Sequence, residues 1–158
     1  MSLRDLADSK PKKKKKKFTR TLTRKQIRRM KKRGYDAERE LVKKFREVGF
    51  DALRVPVSAP SREPLPDVFA INEGAIVACE VKSQERYAYY KTKQVEKLFE
   101  FLDIHCIYPK RYAVLAAKFK YRGWYFEIAE KPGDFSIKLG EGLRFRELVE
   151  RIEAPREN

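Results

Sequence analysis

The apolar residues near the start of the chain recur at three- and four-residue spacings, which is the period of an amphipathic helix. Five residues carry this pattern: Ala37, Leu41, Val42, Phe45 and Val48. They predict a helix over about 35–48, which Gly49 would end. The basic stretch before it, Arg24 to Lys32, is predicted to be a separate helical segment, with Thr23 as its cap and Gly34 as an interruption.

Apolar runs and alternating patterns later in the chain predict strands and two more helices. The expected elements are a strand at 51–57, a proline-rich loop at 58–66, a hairpin of 67–71 and 75–81, a helix at 91–104, strands at 112–117, 123–128 and 135–139, and a helix at 143–152. This order fits an α/β domain in which helices pack against a central mixed sheet. A length of 158 residues is also that of a single domain with one core.

Charge is concentrated at one end of the chain, which has a net charge of +15. Residues 1–32 hold 15 Lys or Arg against two acids, whereas the remainder holds 23 against 21. We therefore predict a basic, largely disordered tail over 1–32, a folded domain over 33–153 and a short C-terminal tail over 154–158. The run Lys12 to Lys17 favours nucleic acid as a partner, with a solubility tail or contact with anionic lipid as alternatives.

Two other classes of protein are disfavoured by the sequence. No run of 18 apolar residues is present, and the lysines near the N-terminus lack the apolar stretch of a signal peptide, so we expect a soluble, unexported protein that does not enter a membrane. Cys79 and Cys106 are too few and too far apart for a disulfide framework or a structural zinc site. Both are expected to be buried thiols in a reducing compartment.

The candidate chemistry lies in the hairpin. If Glu73 and Gly74 form a two-residue turn, facing residues have numbers that sum to 147, so Asp67 faces Glu80. Opposed residues on antiparallel strands have Cβ atoms about 5 Å apart. Lys82 lies two residues beyond Glu80 and points to the same face. A bulge or a three-residue turn would shift this pairing by one residue.

Two opposed carboxylates repel each other, and a hard cation such as Mg²⁺, or Mn²⁺ in its place, would compensate. Such a metal can polarise a phosphoryl oxygen and activate water, which Lys82 would help to position or deprotonate. Glu38 on the first helix could complete a three-carboxylate site, whereas Glu40 would pair with Lys44. The alternative is an ordinary salt-bridge ladder, which the apolar neighbours disfavour because burying unpaired charge is costly.

In combination, these residues resemble the PD-(D/E)xK nucleases and, among them, the archaeal Holliday-junction resolvases. The resemblance covers about residues 31–128 and rests on the segments 33–40, 49–50, 54–58, 64–67, 80–83, 89–94 and 100–101. It implies a restriction-endonuclease-like fold, with 33–153 as the nuclease domain. It also implies an archaeal, Mg²⁺-dependent endonuclease that resolves four-way DNA junctions, located in the cytoplasm with the nucleoid.

The resemblance also implies functional residues. The catalytic set would be Glu38, Ser58, Asp67, Glu80 and Lys82, with Glu38, Asp67 and Glu80 as metal ligands and Ser58 on a mobile loop. The DNA contacts would be Arg33, Arg39, Arg54, Lys91, Lys93 and Gln94. The long basic N-terminus departs from the compact members of the family.

The resemblance further implies a homodimer, because one monomer has one site and paired cuts require two. Four aromatic residues could line the dimer interface, although a place in the core is favoured for each: Phe99, Phe101, Trp124 and Phe126. Two other functions remain open on the sequence. One is a PD-(D/E)xK nuclease that acts on other DNA, of the restriction or repair type, and the other is a non-catalytic DNA-binding protein.

Overall fold

The computed structural model describes residues 21–56 and 62–155, and contains three helices and seven strands in this part of the chain. In chain order they are α1 (Arg24–Glu47), β1 (Asp51–Arg54), β2 (Val68–Ile71), β3 (Ala75–Gln84), β4 (Tyr87–Tyr90), α2 (Thr92–Ile104), β5 (Lys110–Phe119), β6 (Gly123–Ala129), β7 (Phe135–Lys138) and α3 (Phe145–Glu153). Within these residues, no helix is long and apolar enough to cross a membrane. The predicted α/β class with a central mixed sheet is confirmed.

The central sheet has the strand order β1-β2-β3-β5-β6. Only β3 and β5 run parallel, and the other neighbours in this sheet are antiparallel. These two strands are the longest in the described chain and read as nearly continuous apolar runs, as expected for strands covered on both faces. A second, two-stranded sheet pairs β4 with β7.

The central sheet separates two hydrophobic cores. Alternate residues of β3 point to opposite faces, so Val77 and Cys79 lie in the core under α1 and α3, whereas Ile76 and Ala78 lie in the core under α2. The second core also contains Tyr90 and is closed by the small sheet. The pair Glu80 and Lys82 therefore lies on the α2 face of β3 by the same alternation.

Helix α1 is continuous, so the predicted interruption at Gly34 is wrong. A glycine inside a helix costs only about 1 kcal/mol relative to alanine, and the packed turns from Ala37 onward hold the helix in place. The predicted cap is confirmed, because the Thr23 side chain accepts a hydrogen bond from the Gln26 amide at 3.2 Å. Gly49 follows the helix at φ 92°, the left-handed conformation that favours glycine.

Other boundaries also differ from the prediction. Strand β1 ends at Arg54 rather than at residue 57, β3 continues to Gln84, and β4 was not predicted at all. Residues 1–20 of the predicted tail and 156–158 lie outside the described residues, while residues 24–32 belong to α1. Phe101, Trp124 and Phe126 are buried, which confirms the core prediction for these three, and Phe99 packs against the core while partly exposed.

Candidate active site

The hairpin has the register that the sequence predicts. Val68 pairs with Cys79 and Ile71 with Ile76, so paired residue numbers sum to 147. The turn is held by Asn72, whose amide donates to the Ala75 carbonyl at 3.0 Å and whose Oδ1 accepts from the Ala75 amide at 2.9 Å. The two-residue turn is therefore confirmed.

The strand pairing departs from this register at Asp67, just before β2 begins. The Asp67 amide donates to the Cys79 carbonyl at 3.0 Å instead of following the ladder. Its carboxylate turns back over β3, where Oδ2 accepts a hydrogen bond from the Val81 amide at 2.8 Å. This local departure does not separate the two acids, because the Asp67 and Glu80 carboxyls remain close enough for each to shift the pKa of the other.

The two carboxyls repel each other when both are negatively charged. Burial and, after it, the neighbouring charge of Asp67 together raise the pKa of Glu80 to about 8, against the opposing charges of Lys82 and Lys97. Burial also raises the pKa of Asp67, although the hydrogen bond from the Val81 amide and the charge of Lys82 act against it. Without a cation, the fold therefore favours a shared proton over two adjacent negative charges.

Gln94 lies against this pair from the start of α2. Its Nε2 donates to Glu80 Oε1 at 2.8 Å, while its Oε1 accepts from the Lys91 backbone amide at 3.1 Å and caps the helix. The structure therefore brings Gln94 to the site, as expected. Lys91 and Lys93 are exposed at the same helix start.

Lys82 is positioned by an aromatic residue that the sequence did not single out. Its amine lies 5.5 Å from the centroid of the Tyr90 ring, a cation–π arrangement. Tyr90 is fully buried, and its hydroxyl donates to the Ala116 carbonyl at 2.8 Å. The contact joins β3 to β4, and the unusual Tyr89-Tyr90 pair was the only hint of it in the sequence.

Glu38 lies close to the pair but is bound to an arginine. Arg54 Nε donates to Glu38 Oε2 at 2.5 Å, and its guanidinium stacks over Tyr35 at 4.6 Å from the ring centroid. Burial raises the pKa of Glu38 more than the Arg54 hydrogen bond lowers it, and the charge of Asp67 adds to the rise. The structure thus brings Asp67 and Glu80 together, and it holds Glu38 on Arg54 at a distance from which its charge acts on Glu80.

This fold and site match a known family. A family model described as archaeal Holliday junction resolvase (Hjc) matches residues 29–156, most of the chain. The chain belongs to the archaeal Holliday junction resolvase family. The predicted resemblance is therefore confirmed over a longer stretch than the motifs covered.

Individual members of this family are similar to the chain over most of their length. A crossover junction endodeoxyribonuclease Hje of Saccharolobus islandicus is 37% identical over 122 residues, which cover 76% of this chain and 89% of that protein. Its counterpart in Sulfolobus acidocaldarius is 46% identical over 88 residues, covering 55% and 62%. The solved structure of Archaeoglobus fulgidus Hjc, a Holliday junction resolvase, superimposes with a TM-score of 0.61 at 28% identity, covering 73% of this chain and 99% of that one.

The two DNA contacts expected on α1 are exposed. Arg39 is exposed and pairs with Asp36 at 3.3 Å, and Arg33 is exposed on α1. Ser58 lies outside the described residues. Glu40 bonds to Lys118 and to Trp124 Nε1 rather than to the expected Lys44. The charge of Lys44 is nevertheless close enough to help lower the pKa of Glu40.

The donor set of this resolvase site fits a hard divalent cation. Mg²⁺ is usually held by one or two carboxylates, with water and substrate phosphate completing its shell. Asp67 and Glu80 supply two such carboxylates, each close enough to shift the pKa of the other. In the described residues, no three acidic, histidine or cysteine side chains converge tightly enough to hold a metal directly, so a contribution from Glu38 would pass through water. A cation would also relieve the repulsion that raises the pKa of Glu80.

Proposed function

We propose that this protein is a Mg²⁺-dependent endonuclease that resolves four-way DNA junctions by paired cuts, acting as a two-fold homodimer. The function follows the family, whose members are named crossover junction endodeoxyribonucleases and Holliday junction resolvases. The observation that carries the chemistry is the partly buried pair of carboxyls, Asp67 and Glu80, which lie close enough to shift each other's pKa, with the Lys82 amine two residues beyond Glu80 on the same strand.

Each residue of the site has a role that its position allows. Asp67 and Glu80 would hold Mg²⁺, for which Mn²⁺ can substitute, and the bound ion would polarise the scissile phosphate and lower the pKa of water. Lys82 would orient the attacking water, with its amine fixed over the Tyr90 ring. Arg54 keeps the Glu38 carboxylate beside Asp67 and away from solvent. Gln94 fixes the direction of the Glu80 carboxylate.

A homodimer is proposed because the described chain contains one such site. A single site cuts one strand, so symmetrical cuts on opposing strands require a second copy related by two-fold symmetry. The sedimentation velocity of the free protein and of its junction complex would measure this directly. A monomer in both states would contradict the dimer.

The proposal is tested with a synthetic immobile four-way junction, a flap and a linear duplex, each with and without Mg²⁺. We expect the junction to be cut preferentially and only with the metal. Asp67→Asn should lower the single-turnover rate by about 10³-fold or more, because it removes an interaction worth several kcal/mol in the transition state. Junction binding should survive or strengthen, because a negative charge near the phosphates is lost.

Glu100→Gln is the matched control, since it removes one exposed acid from α2 and should cut normally. Equal cutting of all three DNA forms would show a nuclease that acts on other DNA. Binding without cutting by the parent protein would show a DNA-binding protein that is not an enzyme. Either result overturns the proposed activity.

A further inference from the structure

Three neighbouring parts of the fold bring together basic residues that the proposed catalytic site does not use. They are the first half of α1, the turn between β3 and β4, and the turn between β5 and β6. We call the surface that they form the basic groove. It is defined by six residues: Arg29, Lys32, Arg33, Arg86, Lys120 and Arg122.

The basic groove is continuous because its three concavities share lining residues. Lys120 lines the concavity against α1 and also the one beside Arg122. Arg86 belongs to the latter and to a third concavity, which Arg33 lines from the α1 side. Each part of the surface therefore runs into the next.

The basic groove starts beside the acidic pair. Its third concavity is also lined by Ser83 and Gln84, the two residues that follow Lys82 on β3. A strand rises about 3.3 Å per residue, so this end of the groove lies within about 10 Å of Lys82 along the strand. One end of the groove is therefore close to the proposed site along β3.

The α1 part of the groove carries charge that the protein itself does not neutralise. Residues 24–33 contain seven Lys or Arg and no acid, and all ten are exposed. They include four like-charged pairs at i and i+4, which destabilise a helix: Arg24–Arg28, Lys25–Arg29, Arg28–Lys32 and Arg29–Arg33. In the described part of the chain, none of these seven cations forms an ion pair. A polyanion would relieve this repulsion.

We propose that the basic groove binds the phosphate backbone of one duplex arm of the DNA substrate. This rests on the proposed function. Duplex DNA fits because six cations line the groove and only two acids do, Asp36 and Glu85. Asp36 already pairs with Arg39. The ten residues 24–33 span about 15 Å, which matches about four base pairs at 3.4 Å each. Of the six cations, only Arg33 is among the DNA contacts that the family resemblance implies.

The test compares two triple variants of the full chain that lose the same charge. The groove variant is Arg29→Gln, Lys32→Gln and Lys120→Gln. The control is Lys43→Gln, Lys131→Gln and Arg151→Gln, three exposed cations that line none of the three concavities. Binding of a labelled four-way junction and of a labelled linear duplex is measured in EDTA by fluorescence anisotropy over a range of salt concentrations.

We expect the groove variant to bind both DNA forms about 30-fold more weakly or worse near 0.1 M salt, and its salt slope to fall by about 2 to 3, since each lost phosphate contact removes about 0.9. The control should change by less than about threefold. Equal loss on junction and duplex supports an arm contact, because the backbone of an arm is common to both.

Two outcomes overturn the proposal. Affinity like that of the control would show that the groove does not bind DNA, and a loss confined to the junction would place the contact at the crossover. Neither outcome depends on the proposed chemistry, because Asp67→Asn tests cleavage separately. If Asp67→Asn still cuts while the groove variant binds weakly, the metal site is wrong and the groove stands.

Discussion

At the scale of single residues, Gln94 connects the candidate site to a helix start. One end of its amide donates to Glu80 and the other accepts from the Lys91 backbone amide. The Glu80 carboxylate therefore points where the first turn of α2 directs it. Both ends of the Gln94 amide are engaged within the protein, so we assign it a positioning role.

We predict that Gln94→Leu slows junction cleavage by about 10- to 100-fold, as the loss of an outer partner of a ligand typically does. Loss of the cap should also lower the free energy of unfolding by about 1 kcal/mol. Single-turnover rates over a series of Mg²⁺ concentrations and urea titrations measure the two effects. Thr23→Ala is the control, because it removes the cap of α1 far from the site. A Gln94→Leu rate within about twofold of the parent would contradict the role.

The sequence predicted the acidic pair for a reason that does not extend to its neighbours. Asp67 and Glu80 are joined by one short turn, so counting along the hairpin is enough to place them close together, even though the pairing departs from the count at Asp67. The contacts of Glu38 with Arg54 and of Lys82 with Tyr90 join different elements. These contacts form because separate elements pack against each other, and the spacing of residues within one element does not predict such packing.

At the scale of elements, Glu40 fastens α1 to the distant half of the central sheet. Its carboxylate binds the Lys118 amine on β5 and accepts a hydrogen bond from Trp124 Nε1 on β6 at 2.8 Å. Glu38, two residues earlier, is bound to Arg54 at the end of β1. The two glutamates thus attach one helix to both edges of the sheet.

We predict that Glu40→Ala lowers the free energy of unfolding by about 2 kcal/mol, because it leaves a partly buried amine and the Trp124 indole without their acceptor. Glu47→Ala is the control on the same helix. Its ion pair with Lys43 is 3.9 Å long and exposed, so its loss should cost about 0.5 kcal/mol or less. Urea-induced unfolding of both variants measures these free energies. Equal losses would show that Glu40 does not hold α1 against the sheet.

The errors of the sequence prediction at this scale have physical causes. Gly34 did not break α1 because the neighbouring turns outweigh the small penalty of one glycine. Strand β4 was missed because its four residues are three tyrosines and an alanine. Buried and exposed residues alternate along it, but this sequence shows no matching alternation of apolar and polar residues. Cys106 was expected to be buried but is exposed, since it lies in the turn after α2 rather than in an element.

At the scale of the whole molecule, the acidic pair makes stability depend on pH. The pKa of Glu80 is about 8 in the fold and 4.5 ordinarily. Between these values the folded protein holds a proton that the unfolded chain has lost, so stability falls as pH rises. For one group the slope is at most about 1.4 kcal/mol per pH unit. Burial shifts the pKa of Asp67 and of Glu38 in the same direction.

We predict that the metal-free protein melts at progressively lower temperature between about pH 5 and 8, and that Glu80→Gln reduces this decline. Mg²⁺ should raise the melting temperature most at the alkaline end, where both carboxylates are free to bind it. Thermal melts in EDTA and in Mg²⁺ measure both effects. A parent protein with the same pH profile as Glu80→Gln would show that the carboxyl titrates normally.

The two cysteines differ in a way that follows from the hairpin. Cys79 is fully buried beneath the acidic pair, where burial and the charge of Asp67 raise its pKa, whereas Cys106 is exposed. The folded molecule therefore offers one thiol to an alkylating reagent, and the second becomes reactive only when the core between the central sheet and α1 opens. The chain thus contains its own chemical reporter of how often the core beneath the acidic pair opens.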